Sequence, residues 1–340
     1  MDAKAAQSLL DFAELSAPQL RGMDAKAVLG KLERRYGDLL AAMGWFVDHG
    51  RSDEAFRLAT SLVPFWMATK RLDEGAAWFD RALASPGSGD AHRGRAFFNA
   101  GYLAFWQGHD ERASALHNRA LELGRQTDDP TVTALALGGL ARIALRTDVE
   151  GARRLLREAF AITDGTADRA GRSGALHVLG VAAQMAGDFL EARDLMSQRI
   201  ALAREEGNYA TISSEAGNLS MVERQLGNLD QAHALAREAL EIDYRRGDDL
   251  AIPWKINGLA AVATDSGEFD RAATLIGAAD ATMRAAGGAW PPDELIQYER
   301  TVATLNHSMG SAEFGRKREA GASMTTREAV EFALGIRSGG

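Results

Sequence analysis

The sequence predicts an all-α fold, a right-handed superhelical solenoid of antiparallel helix pairs with a period of about 40 residues. Three observations predict it: a fixed repeat interval, a composition that favours helices, and glycines at regular breaks. A constant interval in this range is typical of stacked supersecondary units that cannot bury their apolar sides alone. The interval is set by a three-residue pattern with four copies spaced 40 residues apart, at Val149–Ala152–Leu155, Phe189–Ala192–Leu195, Leu229–Ala232–Leu235 and Phe269–Ala272–Leu275.

Composition favours helices throughout and excludes several kinds of site. Ala and Leu are abundant, whereas β-branched residues, which favour strands, are scarce. The chain has 340 residues, with 39 basic and 47 acidic side chains and a net charge of −8. Because a nucleic-acid binder needs a clustered basic face and this chain has no such block, we expect no direct contact with nucleic acid. Cysteine is absent, which excludes disulfides, zinc–thiolate sites and thiol nucleophiles.

No segment is apolar enough to predict a membrane span. A helix that crosses a bilayer needs about 18 or more consecutive apolar residues, and the chain has no such run. The first residues are polar and lack the basic-then-apolar layout of a secretory signal. We therefore expect a cytoplasmic protein that does not bind membranes.

Two kinds of break divide the repeats. One is a glycine that ends the first helix of a pair, in most copies followed by an acidic or amide side chain that suits the positive start of the next helix. The other separates one pair from the next. In the amino-terminal part, Lys70 takes the place of the turn glycine. The first kind lies at Gly108, Gly187, Gly227 and Gly267, and the second at Asp128–Pro130, Asp164-Gly165, Gly207-Asn208 and Gly247-Asp248.

These features resemble the tetratricopeptide repeat, which has a small residue midway along its first helix, a Gly before an aromatic residue or Leu, and an Ala three residues later. The present period exceeds that family's usual length of about 34 residues, so we expect helices longer by nearly a turn. After Pro291-Pro292 we expect two closing helices. We predict four segments: an N-terminal helical segment at 1–29, N-terminal helices of the stack at 30–90 with a break at Pro86–Gly89, tetratricopeptide-like repeats at 91–286, and a C-terminal helical cap and tail at 287–340.

Both flanks of the repeats resemble a domain of large bacterial transcriptional regulators. The matching landmarks are residues 32–45, Phe65-Trp66, 75–83, 271–280, Pro291-Pro292, Tyr298-Glu299, Phe314, Gly321 and 326–334. They are similar to the tetratricopeptide-repeat sensor domain of LuxR-type large ATP-binding regulators and of SARP/AfsR-like regulators and adenylate cyclases. In that family the repeat domain senses an inducer or a partner protein, so the resemblance implies a regulatory role.

The ATPase and DNA-binding modules of that family are not carried over to this chain. A phosphate-binding loop needs Gly-x-x-x-x-Gly-Lys-Ser/Thr. The nearest approach, Gly22 to Gly30-Lys31-Leu32, has the wrong spacing and lacks the hydroxyl group that would hold magnesium. We find no convincing recognition-helix segment. The chain is therefore expected to be a standalone paralogue or an excised sensor domain.

In helical-pair repeats the first helix of each pair lines the concave face. Counting back from the turn glycines gives inward positions that mix aromatic with polar side chains, as in ligand or peptide pockets. The predicted ligand-binding residues are Arg95, Phe98, Tyr102, Phe105, Trp106, His177, Gln184, Ser214, Met221, Arg224, Trp254 and Asn257, and Gly174, Val181, Gly217 and Ala261 share the same face.

Each candidate also has a plainer interpretation. Helically spaced aromatic residues often pack between successive helices instead of contacting a ligand. The sequence shows no triad or metal-ligand pattern around His177, which fits an ordinary groove residue. Arg95 and Arg224 fit either a carboxylate clamp or an ion pair with a neighbouring repeat. We predict no metal and no cofactor, since the sequence shows no His/Asp cluster with ligand spacing.

The sequence therefore predicts a non-catalytic module that binds a small-molecule inducer or a protein or peptide partner in its concave groove. The regulator resemblance makes it a sensor domain, or a paralogue of one. The alternative is a structural scaffold for protein interactions. An enzyme is the least favoured interpretation, because no nucleophile–base pair, metal cluster or phosphate loop is present.

Overall fold

The computed structural model describes residues 1–85, 90–163, 169–288, 290 and 292–336. Within these residues the protein is all-α, with eighteen helices and no strand, which confirms the predicted fold class. The predicted breaks at Pro86–Gly89 and Asp164-Gly165, the first proline of Pro291-Pro292, and the tail at 337–340 lie outside the described residues.

The chain folds into two compact units, unit 1 at 1–188 and unit 2 at 189–340. Unit 1 contains α1 (Ala3–Gln19), α2 (Ala25–Arg34), α3 (Tyr36–Asp48), α4 (Ser52–Ala68), α5 (Leu72–Ala84), α6 (Asp90–Trp106), α7 (Asp110–Gln126), α8 (Pro130–Ala144), α9 (Val149–Thr163) and α10 (Arg169–Ala186). Unit 2 contains α11 (Phe189–Glu205), α12 (Tyr209–Gln225), α13 (Leu229–Arg246), α14 (Ile252–Asp265), α15 (Phe269–Ala285), α16 (Pro292–Met309), α17 (Ser311–Ala322) and α18 (Thr326–Leu334). The division into four segments stays a prediction, and α2 runs across its first boundary.

Short turns pair consecutive helices, as the glycine pattern predicts. Gly108, Gly227 and Gly267 have φ angles of 79°, 80° and 77°, in the left-handed region where glycine has no Cβ penalty. Lys70, which replaces the glycine between α4 and α5, adopts the same conformation with φ 59°. Helices joined by such short turns pack antiparallel, and they do so in the pairs α6/α7, α8/α9, α12/α13 and α14/α15.

The repeated alanine allows the two helices of a pair to approach closely. In each copy it is the fourth residue of the second helix, and Ala152, Ala232 and Ala272 are fully buried. Ser220 of α12 donates a hydrogen bond to the carbonyl oxygen of Ala232 at 2.8 Å, a side chain-to-backbone bond between the two helices. A larger side chain than alanine would separate them.

Successive first helices also pack on one another. In unit 1, α6 contacts α4 and α8, and α8 contacts α10; in unit 2, α12 contacts α14, and α14 contacts α16. Each unit therefore has a layer made of first helices, which we call its inner wall. The second helices lie behind it.

The core of unit 1 is centred on Trp66 of α4, which is fully buried. Its indole Nε1 donates to the hydroxyl oxygen of Tyr36 at 2.8 Å, and that hydroxyl donates to Glu74 at 2.6 Å. Burial is the main reason that the pKa of Tyr36 rises to about 12. The Phe79 ring meets the indole edge-on, with centroids 6.1 Å apart.

The carboxyl-terminal cap has three helices, so the prediction of two is wrong. The segment after Pro292 is broken at Gly310, whose φ is 78°, and α16 and α17 form on either side of it. Backbone contacts fix α17 against α15. A Cβ atom on Gly277 would lie 1.8 Å from the carbonyl oxygen of Arg318, and one on Gly321 would lie 1.9 Å from that of Thr274. Only glycine permits this approach.

Candidate functional site

A pocket in the inner wall of unit 1 lies between α6, α8 and α10, with one residue from α7. Its cavity volume is ≈ 50 Å³. We call it the aromatic pocket. It is lined by three aromatic rings, a histidine, an arginine, small residues and two further aliphatic side chains: Phe98, Tyr102, Phe105, His117, Ala134, Leu135, Gly138, Gly139, Arg142, Gly171, Gly174, Ala175 and Val178.

The three rings come from one face of α6, because residues three or four apart on a helix are neighbours. Phe98 and Tyr102 stack with ring centroids 6.3 Å apart. Two guanidinium groups lie near these rings: Arg95 is 5.6 Å from the Phe98 centroid and Arg142 is 5.8 Å from the Phe105 centroid. Flat apolar surface and fixed cations therefore meet at this part of the wall.

His117 of α7 reaches the pocket from behind the wall. Its ring fits against two glycines: a Cβ on Gly101 of α6 would lie 2.8 Å from the imidazole, and a Cβ on Gly139 of α8 would lie 2.6 Å from it. The residue is only 1% exposed, and its Nδ1 has no hydrogen-bond partner among the described residues. Burial, with a smaller effect of the Arg142 charge, lowers the pKa of His117 to about 4, so the ring is neutral at pH 7.

This burial predicts that unit 1 loses stability in mild acid. The unfolded chain binds a proton at His117 near pH 6.5, whereas the folded chain does so only near pH 4. Stability is therefore complete above pH 6.5 and falls as the pH drops toward 4, by about 2 kcal/mol between pH 7 and pH 5. Urea unfolding followed by tryptophan fluorescence measures this loss, since four of the six tryptophans lie in unit 1.

The control for this prediction is His117→Gln, which removes the titrating ring and keeps an amide of similar reach. The free energy of unfolding of this variant should change less than that of the wild type over the same pH interval. Equal losses in the two proteins would contradict the assignment of the effect to His117.

A second pocket lies in the inner wall of unit 2, between α12, α14 and α16. Its cavity volume is also ≈ 50 Å³. We call it the polar pocket, because amide, ammonium, guanidinium and indole groups line it. The lining residues are Gly217, Asn218, Ser220, Met221, Arg224, Ala236, Trp254, Lys255, Gly258 and Gln297.

Acceptor groups of the inner wall partly compensate the positive charges in the polar pocket. Arg224 donates to Asp265 at 2.8 Å. The Lys255 ammonium donates to the backbone carbonyl of Ser213 at 3.3 Å and lies 3.9 Å from the carboxylate of Asp243, whose pKa is raised by burial. The indole Nε1 of Trp254 is buried and has no partner among the described residues. The cationic side chains of this pocket are therefore already bound to acceptors of the wall.

The structure brings three of the five predicted α6 residues into one pocket, namely Phe98, Tyr102 and Phe105. Arg95 is half-buried beside the Phe98 ring and outside the lining residues. Trp106, at the end of α6, is 49% exposed and packs edge-on against Tyr102 and Phe105.

On α10 the predicted face is only partly at the pocket. Gly174 lines the aromatic pocket, as its place on the predicted inward face suggests. His177 and Gln184 are half-buried and lie outside its lining residues. Their predicted part in ligand binding remains a prediction.

In unit 2 the predicted residues Met221, Arg224 and Trp254 line the polar pocket. Ser214 is exposed and lies outside its lining. The prediction that Asn257 is an open groove position is wrong, because the side chain is fully buried inside the wall, with both amide atoms unpartnered among the described residues. Ala261, one turn later on the same face of α14, is also fully buried.

Counting along first helices misses several pocket residues. His117 belongs to a second helix, and Gln297 belongs to the cap. Arg142 and Lys255 are on first helices but outside the positions that the turn glycines select. In the sequence, the one available signal for the place of His117 was the pair of glycines Gly101 and Gly139, since both leave room for its imidazole.

The described residues contain no group of three or more side chains placed to hold a metal ion. None of the helices described is both long and apolar enough to span a bilayer.

Sequence comparisons identify one repeat and one class of relative. Residues 216–246, which cover the end of α12 and all of α13, match the profile of the tetratricopeptide repeat. A protein named as an HTH-type transcriptional regulator of Mycobacterium tuberculosis (strain H37Rv) is 28% identical over 123 residues, and a counterpart from Mycobacterium bovis has the same identity. The match covers 34% of this chain and 14% of each relative.

Structural comparisons find the same fold in proteins of low sequence identity. The apo form of RapI is 13% identical, with a TM-score of 0.58, over 81% of this chain and 98% of that one. A Rap protein solved with competence and sporulation factor is 13% identical, with a TM-score of 0.55, over 97% of both chains. A signal transduction ATPase with a tetratricopeptide repeat sensor from Pyrococcus horikoshii is 9% identical, with a TM-score of 0.55, over 92% of this chain and 48% of that one.

These comparisons show the helical-repeat fold, with a tetratricopeptide repeat at residues 216–246, and a distant similarity of one third of the chain to transcriptional regulators.

Proposed function

We propose that the protein is a non-catalytic sensor module of bacterial transcriptional regulation, which binds a small molecule or a peptide on the inner wall of its first helices. The observation that carries this proposal is the aromatic pocket. It brings the predicted groove residues Phe98, Tyr102 and Phe105 together with His117 and Arg142 in one concave lining. Aromatic side chains combined with a few polar groups in a concave surface are typical of ligand sites.

The comparisons support a regulatory setting. The curated relatives are named as transcriptional regulators, and the matched segment is 14% of their length. Among proteins of the same fold, one is named for a tetratricopeptide repeat sensor and one was solved with a signalling factor. By analogy with these proteins, we assign this chain the sensing role and a cytoplasmic location, where bacterial regulators meet their genes.

Binding at the aromatic pocket would act on three first helices at once, because α6, α8 and α10 each contribute lining residues. A ligand shifts a conformational equilibrium only when its contacts differ between the two states. A ligand that touches helices of successive repeats makes different contacts in the two states when the distance between those helices differs between the states. We therefore expect ligand binding to change the spacing of α6, α8 and α10.

We assign no catalytic residue to either pocket. The Nδ1 of His117 lacks the partner that orients a catalytic imidazole. The polar pocket holds Lys255 and Arg224, but both are engaged by carboxylates or carbonyls of the wall.

Replacing Tyr102 by Ala should weaken ligand binding at least tenfold, because it removes a ring that forms part of the pocket wall. A thermal-shift screen of metabolites and peptides against the wild type supplies the ligand, and titration calorimetry measures its affinity. Trp254→Ala makes the same test of the polar pocket. Tyr209→Ala is the matched control, since Tyr209 is exposed at the start of α12 and outside both linings.

Unchanged affinity in both Tyr102→Ala and Trp254→Ala, with helicity intact by circular dichroism, would refute the inner wall as the binding surface. The proposal also fails if Tyr209→Ala weakens binding as much as Tyr102→Ala does.

A further inference from the structure

One carboxylate in the core of unit 2 lacks the partners that usually stabilise a buried charge. Asp243 of α13 is 3% exposed, and its Oδ2 atom has no hydrogen-bond partner among the described residues. The one cation within ion-pair distance of it in this part of the chain is the ammonium group of Lys255 on α14. A buried charge destabilises the folded state unless hydrogen bonds and an opposite charge replace the water that it loses.

The ammonium group of Lys255 compensates this carboxylate only in part. Its Nζ lies 3.9 Å from the Oδ2 of Asp243, which is too far for a hydrogen bond. It donates instead to the backbone carbonyl of Ser213 on α12, at 3.3 Å. The contact between α13 and α14 at this point is therefore a charge interaction without a hydrogen bond.

The helices packed against α13 bring no second cation to Asp243. These helices are α12, α14 and α18. The other charged residue of α14, Asp265, accepts a hydrogen bond from Arg224. Within the described residues, no charged side chain of α12 or α18 lies within ion-pair distance of Asp243. Those side chains are Glu215, Glu223 and Arg224 of α12 and Arg327, Glu328 and Glu331 of α18.

Burial decides the charge state of this carboxyl group. It is the largest influence and raises the pKa of Asp243 above its ordinary value, whereas the Lys255 charge lowers that pKa. Nearer along the chain, Asp248 raises the pKa and Arg246 lowers it, with smaller effects than that of Lys255. The folded chain therefore takes up a proton at Asp243 more readily than the unfolded chain does.

We propose that Asp243 and Lys255 form a proton-sensitive contact between α13 and α14, which is strengthened when Asp243 takes up a proton in mild acid. The neutral carboxyl group needs no opposite charge, so it can stay buried at a lower cost. A group that binds protons more readily on folding stabilises the folded state at low pH, and this contribution is lost as the pH rises. The direction is opposite to that of His117, so acid weakens unit 1 and tightens α13 against α14 in unit 2.

The test compares the full wild-type chain with Asp243→Asn, which places a neutral side chain of the same shape at this position. Amide hydrogen exchange in α13 and α14, corrected for intrinsic exchange rates, gives the opening constant of these helices. Relative to the variant, the wild-type opening constant should fall roughly threefold or more between about pH 8 and pH 4.5. Because the two proteins share every other titrating group, the ratio isolates Asp243.

Two further variants test the partner and the specificity. Lys255→Met should move the change to higher pH, because the ammonium group favours the ionised carboxylate. Glu241→Gln is the matched control on α13, two residues before Asp243, where the side chain is 55% exposed. Its ratio to the wild type should stay constant over the same pH interval.

A ratio of wild type to Asp243→Asn that stays constant, or that rises in acid, would overturn the proposal. Either result would mean that folding does not favour the protonated carboxyl group. Failure of Asp243→Asn to fold would count against it as well, since the proposal requires that a neutral group be accepted at this position. A change in the Lys255→Met variant at the wild-type pH would remove Lys255 from the contact.

Discussion

Gly277→Ala should destabilise unit 2 by about 4 kcal/mol, because a methyl group there collides with backbone and not with a movable side chain. The new Cβ would lie 1.8 Å from the carbonyl oxygen of Arg318, so α15 and α17 must separate. Separation would expose Phe314, now only 4% exposed, to water. Urea unfolding by circular dichroism and amide hydrogen exchange in α17 would both report the loss.

Gly315→Ala is the control on the same helix. A Cβ on Gly315 meets nothing within 4 Å, so the substitution should be neutral or stabilise α17 by up to about 1 kcal/mol. Gly321→Ala, whose Cβ would lie 1.9 Å from the carbonyl oxygen of Thr274, should repeat the large effect. Similar stabilities for Gly277→Ala and Gly315→Ala would mean that the two helices do not touch as described.

Trp66→Ala should cost unit 1 about 4 kcal/mol, since it empties the largest fully buried site of its core. The substitution removes the edge-on contact with Phe79 and leaves the hydroxyl of Tyr36 without its indole donor. Trp66→Phe keeps much of the volume but not the donor, so its loss should be smaller. Equilibrium urea unfolding of the three proteins measures both differences.

Trp106→Ala is the matched control for this prediction. It deletes the same side chain at the end of α6, where the indole is 49% exposed. The expected loss is smaller than that of Trp66→Ala, because about half of this side chain stays in contact with water in the folded state. A loss as large as that of Trp66→Ala would contradict the assignment of the core.

The period and the breaks suffice to predict most of the repeat architecture. The first residues of the three-residue pattern, Val149, Phe189, Leu229 and Phe269, are the first residues of α9, α11, α13 and α15. The predicted starts of these helices are accurate because a tight turn with one left-handed residue fixes where the next helix begins. The cap had no repeat to compare with, so the break at Gly310 could not be distinguished from a glycine inside a longer helix.

The site was harder to predict than the fold, for geometric reasons. Positions on the first helices follow from helical periodicity, and Phe98, Tyr102 and Trp254, which were chosen in this way, line the two pockets. Asn257, three residues after Trp254, is rotated by about 60° about the axis of α14, enough to bury it. His117 belongs to α7, and no sequence pattern within α6 or α8 reveals which side chain of a neighbouring helix fills the space beside their glycines.

The position of His117 has a mechanical consequence. One imidazole fills the notches on two adjacent repeats, at Gly101 and Gly139, and so keys α6, α7 and α8 into a common alignment. A displacement of this ring would therefore change the relative positions of three helices, α6, α7 and α8, at once.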